Sequence, residues 1–135
     1  MPDVQHDEAR RRRGELSAEI ATGAVQLLSE YTGRGPTQSH AIINRDSVTL
    51  VLRDTLTKGE RRLVASGKED EVLRSRYAYQ QVMKDDLTAL VTRVVGRKVV
   101  AFLSANHTDP DVAVEFFLLD SADGDYRSDG SESPD

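Results

Sequence analysis

Apolar residues recur along this chain with two different periods, and the switching between them lays out the fold. From about Gly14 to Thr32, with an extension back through the preceding arginines, Leu16, Ile20, Ala24, Leu27 and Tyr31 return every three or four positions. That spacing marks one face of a helix. Gly33 follows where a helix end calls for a positive φ, and Pro36 prevents the helix from resuming. The period then drops to two. Ala41-Ile42-Ile43 reads as one strand, and Val48, Leu50 and Leu52 alternate with Thr49, Val51 and Arg53 on a second, joined by a turn at Asn44-Arg45-Asp46-Ser47. Thr57 and Glu60 have the spacing of a capping box and predict a short helix from Lys58 to about Ser66, stopped at Gly67. A long helix from Glu69 to Val95 carries the stripe Val72, Arg76, Tyr79, Met83, Leu87, Leu90 and Val94. Strand three, Val99–Ala105, a loop over Asn106–Asp111 and strand four, Val112–Leu119, complete the reading. On strand four the pattern places Val112, Val114, Phe116 and Leu118 inward and Ala113, Glu115, Phe117 and Leu119 on the opposite face.

The order is therefore α-β-β-α-α-β-β, and it contains a duplication. Leu27 to Arg34 and Ala89 to Arg97 are both helical runs that end in Gly-Arg and lead at once into strand, turn and strand. The second hairpin is longer by about three residues, assigned here to its loop. Neither α-β-β unit can cover its own apolar face. The predicted fold is α+β: a two-layer sandwich with a four-stranded antiparallel sheet and the helices across one face.

At 135 residues the chain is sized for one domain, since a single core spans about 100–150 residues. The net charge of −5 is concentrated in residues 120–135, where six acids face Arg127 alone. The expected organisation is a charged N-terminal arm over 1–13, a domain over 14–119 and a disordered acidic tail over 120–135. Arg10-Arg11-Arg12-Arg13 lies behind Asp3, Asp7 and Glu8 and reads as the solvated start of a helix, the alternative being a hold on phosphates or anionic lipid. There is no cysteine, so disulfides and thiolate metal sites are excluded. No apolar run approaches the roughly 20 residues that span a bilayer, and a soluble, cytoplasmic protein is expected.

Candidate chemistry is sparse. His6, His40 and His107 lie in separate elements, without the helical spacing that grips zinc, and no metal or cofactor is expected. No nucleophile elbow, dinucleotide fingerprint or P-loop occurs, so the reading is non-enzymatic. Two arginines stand out. Arg76 falls on the apolar stripe of the long helix, where it must meet a carboxylate of a neighbouring element or subunit, or else bind an anion. Arg34, between Gly33 and Gly35 and before Pro36, either caps the last carbonyls of the first helix or sits where the glycines let a ligand or partner approach.

These residues resemble a known family. Tyr31-Thr32-Gly33-Arg34-Gly35-Pro36, then Val51 to Thr57 with Glu60 and Leu63, then Arg76, Val95-Gly96-Arg97-Lys98-Val99 and Val114-Glu115-Phe116-Phe117-Leu118 look like the MpsC-like family over about residues 14–119. The family takes its name from the C component of a sodium-linked membrane-potential-generating system. The resemblance implies a small cytoplasmic protein associated with membrane uptake of dissolved inorganic carbon, with no catalytic residues to carry over.

Two functions follow as expectations. One is a non-enzymatic accessory protein docking on a membrane transporter subunit; the other is a small-anion or nucleotide-binding regulatory domain using Arg34 and Arg76. Nucleic-acid binding is not expected, because the folded part is nearly neutral and poor in aromatic residues. With Phe117 and Leu119 assigned outward beside Val51, an apolar patch would face water, which predicts a homodimer with Arg76 meeting an acid of the partner.

Overall fold

The computed structural model describes residues 4–36 and 38–121, and its elements follow the predicted order. They are α1 (Val4–Thr32), β1 (Gln38–Ile43), β2 (Ser47–Arg53), α2 (Lys58–Ala65), α3 (Glu69–Val95), β3 (Val99–Thr108) and β4 (Asp111–Leu119). The strands form one antiparallel sheet in the order β1-β2-β4-β3. The two hairpins therefore meet along β2 and β4. α1 packs over β1 and α3 over β3 on the same side, so the duplication becomes two α-β-β units side by side in a two-layer sandwich.

Local chemistry sets the helix ends. Gly33 (φ 77°) and Gly96 (φ 72°) both adopt the left-handed conformation just past a helix, where glycine avoids the Cβ penalty. The Gly33 amide donates to the Ser29 carbonyl at 2.9 Å and the Gly96 amide to that of Thr92 at 2.8 Å. At the start of α2, Thr57 Oγ1 accepts from the Glu60 amide at 3.1 Å while Glu60 Oε1 accepts from the Thr57 amide at 2.8 Å, so the capping box is complete. Glu69, Asp70 and Glu71 occupy the first turn of α3, where negative charge suits the helix dipole.

The core joins Ile20, Ala24 and Leu28 of α1 to Met83, Leu87, Leu90 and Val91 of α3 over Ala41, Val48, Leu50, Leu52, Ala113, Phe117 and Leu119 of the sheet. Several expectations are corrected here. Within the span 1–13 expected as a charged arm, the helix already begins at Val4, and its first turns are exposed, with Arg10 Nη2 donating to Asp7 Oδ1 at 2.7 Å. Near the C-terminal end of α1 the buried residue is Leu28, with Leu27 half-buried beside it, and in α3 Gln80 takes the inward place assigned to Tyr79. The loop over Asn106–Asp111 is mostly strand: Asn106, His107 and Thr108 pair with Ala113, Val112 and Asp111, leaving Asp109-Pro110 as the turn. The extra residues of the second hairpin thus lengthen its strands.

The largest correction concerns the faces of β4. Val48 pairs with Phe117, Leu50 with Glu115 and Leu52 with Ala113. Residues opposite each other in a ladder share a face, and Val48, Leu50 and Leu52 point at the helices. Phe117 and Leu119 are therefore buried in the core, and Phe116 and Leu118 face outward. Asp120 and Ser121 are the last described residues of the expected acidic tail; the rest of it, from 122 to 135, lies outside the described residues.

Candidate functional site

Most of the polar residues singled out from the sequence converge at one end of the sandwich. There the end of α1, the β2–α2 link, the first turns of α3 and the start of β4 meet. Gly33 turns the chain, and a Cβ there would meet nothing, so its requirement is conformational. Gly35 answers to space instead: a Cβ would stand 3.2 Å from Val25 Cγ1 and 3.4 Å from the Val25 carbonyl. The room beside Arg34 is thus filled by α1 itself. Pro36 is buried.

Arg34 does not cap α1. Its Nη2 lies 2.8 Å from Asp54 Oδ2 and donates to the Asp54 carbonyl at 3.2 Å. Asp54 holds a positive φ of 60°, a conformation that Asp tolerates better than most residues, and Arg61 Nη1 reaches its Oδ1 at 3.1 Å. The next residues are pinned by β4: Asp111 Oδ1 accepts from the Thr55 amide and hydroxyl, each at 3.1 Å, and Oδ2 accepts from the Leu56 amide at 2.9 Å. The ties made by Asp54 and Asp111 were not legible in the sequence, where Asp54 carries no signal and Asp111, beside Asp109 and Pro110, reads as a turn former.

Arg76 is only 4% exposed and meets a carboxylate of its own chain, so no partner subunit is needed to neutralise it. Its Nη1 stands 3.4 Å from Glu60 Oε1, the same oxygen that accepts from the Thr57 amide. The capping-box glutamate therefore holds the start of α2 and compensates the buried guanidinium of α3 together.

One helical turn further along α3, Gln80 joins a side-chain network with the sheet. Its Nε2 donates to Glu115 Oε2 at 3.0 Å and to Asn106 Oδ1 at 3.2 Å, and Asn106 Nδ2 returns a bond to Gln80 Oε1 at 2.8 Å. Glu115 is 1% exposed, and burial pushes its carboxyl up to about 7, with Ser104, Gln80 and the Arg76 charge pulling the other way. Glu115 Oε1 and the hydroxyl of Ser104, its cross-strand neighbour, both lack a hydrogen-bond partner within bonding geometry, so Ser104 acts on the carboxyl as a nearby dipole. The cavity beside this network, between Thr32, Arg76, Gln80 and Glu115, has a volume of about 10 Å³. That is the lower bound for one water and leaves no room for a substrate. Glu115 sits at an alternating position of a strand, so its burial could have been read only with the correct face assignment.

The outer face of the sheet is different in kind. Ile42, Thr49, Phe116 and Leu103 form one row across all four strands, with Val51, Val114 and Ala105 in the next row and Leu118 beside Ala101 on the far side. Leu103 is 59% exposed and Ile42 41%, and among the described residues no element covers this face. Its charged residue is Arg53, paired with Val112 at one end. Phe117 and Leu119, assigned to an interface from the sequence, lie on the covered side.

Among the described residues no three His, Asp or Glu side chains come together as metal ligands, and no helix is long and apolar enough to cross a membrane. The family model described as Na+-translocating membrane potential-generating system (MpsC) matches residues 12–121. The uncharacterized protein YbcI of Bacillus subtilis (strain 168) is 25% identical over 103 residues, which cover 74% of this chain and 78% of YbcI. No solved structure matches.

Proposed function

This chain belongs to the MpsC family, and we propose that it is a non-enzymatic accessory module of a membrane transport system that assembles through the open face of its sheet. The observation that carries the reading is the uncovered row of Ile42, Phe116 and Leu103 with its apolar neighbours Val51, Val114 and Leu118. A contiguous apolar surface of this kind is usually a protein contact, and two-fold pairing with a second copy is the commonest way to hide it. The homodimer proposed from Phe117 and Leu119 is thus retained on the opposite residues. Pairing through the sheets leaves both helix layers outward and free for a further partner.

The family description, a Na+-translocating membrane potential-generating system, supports a partner of the class of a cation-linked membrane subunit, and the proposal puts the contact at the inner, cytoplasmic face of the membrane. No described helix is long and apolar enough to cross the bilayer, and the proposed association with the transport subunit is a protein contact. Dissolved inorganic carbon, as bicarbonate, is the transported species that the family resemblance favours. The competing reading, an anion- or nucleotide-binding domain built on Arg34 and Arg76, is weakened because both guanidinium groups are already paired with carboxylates inside the fold.

Purification of the tagged full chain from detergent-solubilised membranes of its native host tests the proposal. Co-purification of an integral-membrane transport subunit is expected. Recovery of soluble metabolic enzymes alone contradicts it.

A further inference from the structure

We propose that the open cleft bounded by Arg13, Arg45 and Arg97 is a binding site for a phosphate-class oxyanion. It lies at the end of the sandwich away from Arg34 and Arg76, and its three arginines come from three separate elements: α1, the β1–β2 turn and the α3–β3 link. The cleft has a volume of about 570 Å³ and is completed by Ile43 and Asn44.

The positive charge in it exceeds the acid nearby: three arginines face one carboxylate, Asp46. Arg97 forms the floor. Its Nε donates to the Asp120 carbonyl at 3.1 Å, and its two terminal nitrogens meet the carbonyls of Arg45 and Asp120. These backbone oxygens fix the guanidinium without neutralising it, and its one carboxylate neighbour, Asp46, stands 3.9 Å away and well exposed. Arg13 and Arg45 have no carboxylate partner among the described residues, and both are exposed around the opening. What sets Arg13 and Arg45 apart from the other exposed arginines is that they converge with Arg97 on one cleft.

Three guanidinium groups facing one space give it a positive potential that attracts an anion, and guanidinium forks match the oxygens of a phosphate group. Convergence of three cations suits a dianion better than a single carboxylate. The cleft has no aromatic wall on which a base could stack, so the ligand is the phosphate group itself, free or as a lipid head group.

The test uses the full chain, residues 1–135. Calorimetric titration with inorganic phosphate at constant ionic strength is run beside flotation with phosphatidylcholine vesicles, with and without phosphatidic acid. The same measurements are made on Arg13→Glu, Arg45→Glu and, as a control in the same helical run, Arg12→Glu, whose side chain does not line the cleft. Saturable phosphate binding that falls about tenfold or more in either cleft variant and persists in the control is the expected result. Binding to the phosphatidic acid vesicles alone, with the same variant pattern, upholds the site and assigns it to a head group. Absence of both kinds of binding overturns the proposal. So does binding that survives both cleft reversals or is lost equally in Arg12→Glu, since that pattern belongs to diffuse charge.

Discussion

Leu103 lies directly opposite Phe116 on the uncovered side of the sheet, one residue out of phase with the inward pair of half-buried Phe102 and buried Phe117, whose ring centroids are 5.3 Å apart. Adjacent phenylalanines on one strand thus have opposite fates. Phe117→Ala should cost about 3–5 kcal/mol by leaving a cavity between helices and sheet. Phe116→Ala should cost much less in the isolated fold, because its side chain is only half-buried. Urea denaturation of the two variants checks this, and a larger loss at Phe116 would reverse the assignment of the faces.

Glu115 predicts a pH dependence. Its folded carboxyl titrates near 7 against an ordinary value of 4.5, so between those values the folded state holds the proton more tightly than the unfolded one. Stability from this group is therefore present at acid pH and declines as pH rises from about 4.5 through 7, by something on the order of 3 kcal/mol in total. Glu115→Gln keeps an acceptor for Gln80 Nε2 and cannot ionise. Thermal melts of the variant from pH 5 to about pH 8 should lose this component of the decline, and an unchanged slope would show that Glu115 is not its source.

At the other member of the buried polar seam, the shared oxygen of Glu60 sets the order of two substitutions. Glu60→Ala strips the cap from α2 and leaves the Arg76 charge buried without a partner, so it should cost about 3–5 kcal/mol. Arg76→Met removes the charge and fills similar space, leaving Glu60 to cap α2, and should cost clearly less. Chemical denaturation of both decides the point; a milder Glu60→Ala would mean that the ion pair at 3.4 Å contributes little.

Gly33 and Gly96 close the two duplicated helices with the same left-handed turn, and a Cβ at either would meet nothing within 4 Å. The penalty of substitution is thus conformational. Gly33→Val and Gly96→Val should each cost on the order of 1 kcal/mol or more. Gly35→Val should be destabilising for another reason, contact with Val25. Parental stability in Gly33→Val would show that the helix ends elsewhere.

The elements were legible because each carries its own local signal: a period near 3.6 in α1 and α3, Gly at both helix ends, and Thr57 with Glu60 at the start of α2. The faces of β4 were not, since Val112 to Leu119 is apolar at nearly every position and a period of two gives no direction when both phases are greasy. Only the pairing of Val48 with Phe117 resolves it. Arg76 was recognisable as an intruder on an apolar stripe, but its partner Glu60 sits 16 positions away and became evident only when α2 folded back on α3. Of the cleft of Arg13, Arg45 and Arg97 only Arg13 carries a sequence signal, within the arginine run weighed as a hold on phosphates; its convergence with Arg45 and Arg97 was not legible, because the three lie in distant segments.

The central claim, that the open sheet face pairs with a second copy of this chain, is tested most directly by the mass in solution. Multi-angle light scattering on the purified parent at tens of micromolar should give twice the chain mass, and Phe116→Glu, whose side chain points away from the core, should give the monomer with its helical signal and melting behaviour preserved. A monomeric parent, or a Phe116→Glu protein that is still dimeric, would contradict the account.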